Sequence, residues 1–152
     1  MMVRLVVVSS IVLFLFLLLL VSPTISLQSV NAQQNATTTT TKSDLVINGK
    51  TFPIKYNITG GKLLGVIADN DRSTLVAIIG SPGDKGKLTI ELPRNIIDSK
   101  AQGNVDTKYQ IKIDGKGVDY KEMGNSLTER ILQIDFGKND RVIEIAGTQM
   151  TS

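Results

Sequence analysis

The sequence predicts an all-β protein, a two-sheet antiparallel sandwich of about eight strands with an immunoglobulin-like or jelly-roll-like arrangement. From Asp44 onward, apolar and polar residues alternate over short segments. Gly, Pro, Asn and Asp separate these segments at regular intervals, as turn residues do. No helical period accompanies the alternation. Short strands with regular turns favour two sheets that enclose one core.

The individual strands follow from the same alternation. The first, 52–58, contains Pro53, which cannot donate a ladder hydrogen bond, so we expect it at a sheet edge. Segments 62–69 and 73–80 are apolar on both faces and flank a short turn, which predicts a central buried hairpin. The remaining strands are predicted at 87–92, 108–114, 118–123, 130–136 and 141–147, with Gly115-Lys116-Gly117 as one hairpin connection.

One connection carries unusually large aliphatic residues. Leu88, Ile90 and Leu92 alternate along a strand that Pro93 ends, and Ile96 and Ile97 then fall in a turn. Pro93 is suited to the first position of a single helical turn. We expect the two isoleucines to plug the open end between the sheets, where their burial contributes roughly 3–6 kcal/mol.

The first 32 residues have the layout of a secretory signal. Arg4 precedes an apolar run at 5–21 that carries no charge, and small residues lead to a predicted cleavage after Ala32. The run is also close to the ~17–25 residues that span a bilayer, so 1–32 is predicted to be either a signal peptide or a hydrophobic anchor helix. Either segment places the rest of the chain outside the cell, secreted or held at the extracellular face of the membrane.

The predicted exported part consists of a flexible Thr-rich linker (33–43), the sandwich domain (44–149) and a short tail (150–152). Asn35 and Asn57 both begin an Asn-X-Thr pattern and are candidate glycosylation sites. The tethered domain contacts the membrane only through the N-terminal segment in this scheme.

The composition removes several kinds of chemistry. The sequence contains no Cys and no His, which excludes disulfides, thiol chemistry and the commonest general base and transition-metal ligand. Without Arg4, 16 basic residues face 14 acidic ones, and the lysines are scattered. This weak positive charge argues against nucleic-acid binding.

The order of several motifs resembles a family of small exported archaeal β-domains found on cell-surface proteins. The motifs are LTIELPRNIIDSK (88–100), YQIKIDGKGVDY (109–120) and RILQIDFGKNDRVIEIAGTQ (130–149), and with the preceding hairpin the match covers most of 50–149. The resemblance implies an extracellular sandwich of unknown function. It implies no catalytic residues.

The acidic turn Asp69-Asn70-Asp71 is the sharpest candidate binding site. Its oxygens suit Ca²⁺, which takes about 6–8 of them, and the loop carboxylates Asp84, Asp98 and Asp106 are possible additional ligands. The same residues also favour turns, because their side chains bond to nearby backbone amides. The turn interpretation is preferred, and Ca²⁺ is the one cofactor that the sequence leaves open.

Enzymatic chemistry has little support. A pair of carboxylates is able to cleave glycosides without histidine, and the available ones are Asp114, Asp119, Glu122, Glu129 and Asp135. Most of them occupy outward positions of amphipathic strands. A glycan site usually relies on exposed aromatic rings, but the aromatic residues Phe52, Tyr56, Tyr109, Tyr120 and Phe136 share the core phase. Tyr120 lies on the least apolar strand.

Two functions follow from these observations. The first is a non-enzymatic exported sandwich with a structural or protein-interaction role, whose partners are other surface proteins or envelope components. The second is an extracellular module that binds Ca²⁺ or a glycan through its end loops. The oligomeric state and the use of exposed strand edges are left open.

Overall fold

The computed structural model describes residues 40–151, which form two five-stranded antiparallel sheets and one two-stranded sheet. Sheet A has the order β1-β2-β5-β10-β9, sheet B the order β3-β4-β11-β7-β8, and sheet C pairs β12 with β6. The described part of the chain is therefore all-β and sandwich-like, as predicted.

The twelve strands are short, as the regular spacing of turn residues indicated. Their bounds are Thr41–Ile47 (β1), Lys50–Thr59 (β2), Lys62–Asp69 (β3), Thr74–Gly80 (β4), Lys85–Pro93 (β5), Ile97–Asp98 (β6), Gln110–Ile113 (β7), Lys116–Val118 (β8), Lys121–Asn125 (β9), Glu129–Gly137 (β10), Val142–Ala146 (β11) and Gln149–Met150 (β12). A 3₁₀ turn at Gln102–Asn104 lies between β6 and β7. The prediction of about eight strands missed β1, β6 and β12, and it merged β8 with β9.

Two hairpins owe their tight turns to residues that tolerate positive φ. Asn48 (φ 49°) and Gly49 (φ 77°) join β1 to β2, and Asp114 (φ 46°) and Gly115 (φ 80°) join β7 to β8. Asn-Gly and Asp-Gly suit two-residue hairpin turns because those turns need positive φ at both central positions. The predicted connection at 115–117 is thus misplaced, because the turn is 114–115 and Lys116 and Gly117 already belong to β8.

Both large sheets contribute to one buried aliphatic core. Leu88, Ile90 and Leu92 of β5 are inaccessible to solvent, as are Leu132 and Ile134 of β10. The inward residues of β7 and β11 are buried with them. The alternation therefore identified the inward face of these strands correctly.

Ile96 and Ile97 are core residues, as the sequence predicted, with 3% and 0% of their surfaces exposed. The Ile96 amide donates to the Pro93 carbonyl at 2.9 Å, which closes a single turn after β5. Ile97 then pairs with Met150 in sheet C. The chain thus leaves sheet A at Pro93, passes through β6 of sheet C and enters sheet B at β7.

Two predicted strand positions were wrong. β2 lies inside sheet A between β1 and β5, but it pairs with β5 only over 56–59, so Pro53 lies where β2 has β1 as its one paired neighbour. The absent N–H of Pro53 therefore interrupts no pairing with β5, although β2 is not an edge strand. β3 is not central but ends sheet B, and Leu64 and Ile67 on its outward face are 62% and 55% exposed. The hairpin of β3 and β4 itself is confirmed.

The N-terminal boundary also differs from the prediction. β1 begins at Thr41, so Thr41-Lys42-Ser43 belong to a strand and not to the predicted linker. The signal or anchor segment, the cleavage after Ala32, Asn35 and the first part of the linker lie outside the described residues. Within 40–151, no helix has the length and apolar character needed to cross a membrane.

Candidate functional site

The most concentrated polar chemistry surrounds Arg94, in the turn that follows β5. Its Nη1 donates to both carboxylate oxygens of Asp98, at 2.7 and 2.8 Å, and Nη2 donates to Asp106 at 2.6 Å. The remaining contacts run to Asn125 Oδ1 and the Ser126 carbonyl. These contacts use both terminal nitrogens of the guanidinium and Nε. Arg94 therefore joins the segment that crosses from sheet A to sheet B (94–109, the crossing segment) to the β9–β10 hairpin.

Arg130 is a second, more deeply buried arginine beside it. It lies on β10 in phase with Leu132, and only 2% of its surface is exposed. Nε and Nη2 contact the two carboxylate oxygens of Glu122 at 2.7 and 3.1 Å. The guanidinium also stacks over the Tyr109 ring, 4.5 Å from its centroid. A planar arginine suits this position because it forms paired hydrogen bonds and stacks on an aromatic face.

The two arginines share the segment around Asp98 and Ser99. Arg130 Nη1 donates to the Ser99 and Thr107 carbonyls and lies 4.0 Å from Asp98 Oδ1. The Ser99 amide donates to Asp98, and the Ser99 and Thr107 hydroxyls lie 2.9 Å apart. Within 40–151, every buried side-chain nitrogen and oxygen has a hydrogen-bond partner. We call these residues the crossing network: Arg94, Asp98, Ser99, Asp106, Thr107, Tyr109, Glu122, Asn125 and Arg130.

The crossing network shifts the acid–base properties of its members. Hydrogen bonds from Arg94 and Asn125 lower the pKa of Asp106 from 3.8 to about 2. Hydrogen bonds to Asp106 and Asp98 raise the pKa of Arg94. Burial opposes the charge of Arg130, but its ion pair with Glu122 outweighs burial and raises its pKa. Burial raises the pKa of Tyr109. Asp106 and both arginines are therefore charged at neutral pH.

The lowered pKa of Asp106 predicts acid sensitivity. Because the folded pKa lies below the unfolded one, the contribution of Asp106 to stability is present above about pH 4 and is lost as the pH falls towards 2. We expect Asp106→Asn to be less stable than the wild type at pH 5, with the difference narrowing in that window. Chemical denaturation at several pH values measures this difference in the free energy of unfolding.

Asp84→Asn is the control, because it removes an exposed carboxylate that pairs with Lys138 and not with Arg94. Its free energy of unfolding should fall with decreasing pH as that of the wild type does. An unchanged difference between Asp106→Asn and wild type at pH 2 would contradict the assignment.

The residues predicted as a Ca²⁺ site are arranged differently. Asp69 accepts hydrogen bonds from Arg72 Nε at 2.6 Å and from the Arg72 amide, which is the turn role that acidic residues often take. Asp98 and Asp106 meet at Arg94, and Asp84 lies near Lys138. Within the described residues, no group of three or more acidic side chains converges in a way that suits a metal ion.

We expect calcium to leave the melting temperature unchanged, because the Arg72 guanidinium already occupies the Asp69 carboxylate. Thermal melting with millimolar CaCl₂ and with EDTA tests this. A calcium-dependent rise that disappears when Asp69 and Asp71 are both changed to Ala would instead support the predicted site at Asp69-Asn70-Asp71.

Several of the other predicted functional groups have structural contacts. Glu122 pairs with Arg130, and the Asp114 carboxylate accepts the backbone amides of Arg141 and Val142. Tyr109 and Phe136 are buried, while Phe52, Tyr56 and Tyr120 pack partly buried against the core. The Tyr120 hydroxyl accepts the Tyr109 amide at 3.0 Å. Asn57 is half-buried on β2, opposite Thr89 of β5.

Sequence reasoning missed both arginines of the crossing network. Arg130 carried a signal, because it falls in the same inward phase as Leu132, Ile134 and Phe136. A charge in an inward position requires a buried partner. Arg94 carried none, since only the folded chain brings Asp98, Asp106 and Asn125 around it.

Comparisons with protein-family models, with curated proteins and with solved structures each gave no match. The resemblance to exported archaeal surface domains therefore stays a prediction.

Proposed function

We propose that this chain is an exported, non-enzymatic β-sandwich module, immunoglobulin-like or jelly-roll-like, with a structural or protein-interaction role at the cell surface. The crossing network is the observation that supports it most. Its two arginines pair with its three carboxylates, and their remaining donors bond to backbone carbonyls of the crossing segment and of the β9–β10 hairpin. Groups committed in this way serve to hold a connection, whereas a reaction centre requires a group poised to exchange a proton or attack a substrate.

The location follows from the predicted leader. Intact mass of the purified chain would reveal whether cleavage occurs after Ala32, and protease treatment of intact expressing cells would reveal whether the sandwich lies outside. We expect the protease to reach the sandwich without lysis of the cells. A sandwich that is degraded only after lysis would contradict export.

Binding to isolated cell envelopes separates this function from the alternative of a Ca²⁺- or glycan-binding module. We expect the labelled chain to bind envelopes equally well in EDTA and after periodate oxidation of envelope glycans. Loss of binding in either treatment would favour the alternative. Hydrolysis of glycosides or peptides by the purified chain, if abolished by Asp119→Asn, would contradict a non-enzymatic role.

A further inference from the structure

Strand β3, one of the two edge strands of sheet B, carries an unusual set of exposed residues. β4 is the one hydrogen-bonded neighbour of β3 among the described strands. Leu64 and Ile67 point outward from β3 with more than half of their surfaces exposed. β1 lies beside β3 in the facing sheet and adds the exposed Val46. Exposed edges with apolar side chains are templates for strand pairing, and soluble proteins usually blunt them.

β3 is complementary to itself when read in the opposite direction. Antiparallel pairing of two copies about the centre of the strand sets Lys62 opposite Asp69, Leu63 opposite Ala68, and Leu64 opposite Ile67. The end pair brings Lys62 next to Asp69, whose carboxylate also accepts Arg72 of its own chain, and the Leu64–Ile67 pair joins the two exposed apolar residues. The Leu63–Ala68 pair faces inward, where Leu63 is buried and Ala68 packs against the core. Cross-strand pairs of these kinds stabilise sheets.

A bulge at Leu64 makes this register possible. Leu63 pairs with Ile79 and Gly65 with Ile78, so Leu64 is an extra residue in β3. The bulge reverses the alternation, so that Leu64 and Ile67 share the outward face although they are three residues apart. Because each copy has the same extra residue, the pairs remain in phase on both sides of the centre. The irregularity is confined to the two central Gly65–Val66 pairs, where Gly65 faces outward and Val66 inward, and a Cβ on Gly65 would meet no atom within 4 Å of its own chain.

We propose that β3 docks against β3 of a second copy of this chain, which joins two copies of sheet B into one ten-stranded antiparallel sheet. The inference rests on the proposed function, because it names the partner of the same surface module. Its surface consists of Lys62, Leu64, Gly65, Ile67 and Asp69.

Single cysteines test the register, since the natural chain has none. Two differently tagged full-length chains, Leu64→Cys and Ile67→Cys, are mixed in a mild detergent and oxidised. Opposite residues of antiparallel strands have Cα atoms about 4.5–5.5 Å apart, which permits a disulfide. Two copies of Leu64 would be about three residues apart along the strands, roughly 10 Å, which does not. We therefore expect heterodimers of Leu64→Cys with Ile67→Cys and few homodimers of either.

This readout is specific to position, so association through the apolar run at 5–21 does not imitate it. Equal yields of all three dimers, or no dimer, would overturn the proposal. Cross-links that form in expressing cells only to another protein would assign β3 to a different partner and would also overturn it. Failure of the cross-link with correct export leaves the proposed function intact, whereas a cytosolic location contradicts that function alone.

A second variant confirms the site without relying on disulfides. Gly65→Lys has space in the single chain but places a charge on the outward face at the centre of the interface, beside the apolar Leu64–Ile67 pairs. We expect dimerisation to fall about tenfold or more, as for a charged group at the centre of an interface, with no loss in melting temperature at concentrations where both chains are monomeric. Met123→Lys, on the edge strand β9 of sheet A, is the matched control and should dimerise like the wild type. Equal dimerisation of Gly65→Lys and wild type would overturn the proposal.

Discussion

Arg94→Met is expected to lower the free energy of unfolding by about 3–5 kcal/mol, the cost of removing one partner from a buried ion pair. The variant leaves the Asp98 carboxylate, whose side chain is only 2% exposed, without its two closest charged contacts. Lys100 at 3.5 Å and Arg130 at 4.0 Å remain and offset part of the loss. Denaturation in urea at pH 7 measures the change.

The double variant Arg94→Met with Asp98→Asn separates a buried charge from simple loss of packing. Removing the unpaired charge of Asp98 should recover part of the lost stability, so the double variant should be more stable than Arg94→Met alone. If the two effects simply add, the pair is not coupled and the crossing is held by its backbone contacts alone. Glu91→Gln breaks the more exposed pair with Lys55 and is expected to change stability by less than about 1 kcal/mol.

Ile97→Ala is expected to cost about 2–5 kcal/mol, because the side chain is fully buried and its truncation leaves a cavity at the end of the core. Ile97 also pairs with Met150, so its surroundings are held from two sides and have little freedom to collapse. The control Leu127→Ala removes a side chain that is 97% exposed and should change stability by about 0.5 kcal/mol or less. If Ile97→Ala lowers the free energy of unfolding as little as the control does, the Ile97 side chain is not part of the cooperative core.

Local alternation was enough to predict the inward faces of most strands. Leu88, Ile90 and Leu92 form a period-two row because one side of β5 is core and the other is not. The β1–β2 hairpin was missed although Asn48-Gly49 is a strong turn signal, because the Thr-rich stretch before it is typical of a linker. Residue propensity does not predict a strand there. The segment is a strand because it pairs with β2 in a continuous ladder from Thr41 to Ile47.

Edge positions were not predictable from residue type. Pro53 indicated an edge, yet the pairing of β2 with β5 simply stops before reaching it. β3 is apolar on both faces, which indicated a central strand, yet its outward residues remain exposed. Which strand ends a sheet depends on the order of long-range pairings, and a local pattern does not contain that order.

The crossing network was predictable only in part. The inward phase of Arg130 was visible, but the convergence of residues from 94 to 130 is a product of topology. Asp98 and Asp106 were recognised as loop carboxylates and were assigned to a possible cation. The structure gives them a cation from the chain itself, the Arg94 guanidinium.

The pairing of β6 with β12 determines when contacts at this end of the sandwich form during synthesis. The Thr148 and Thr151 amides donate to the carbonyls of Asp98 and Ile96, so β12 secures a crossing that was synthesised some fifty positions earlier. A polypeptide emerging from the ribosome therefore lacks the contacts that lock this end of the sandwich until β12 is free to pair with β6.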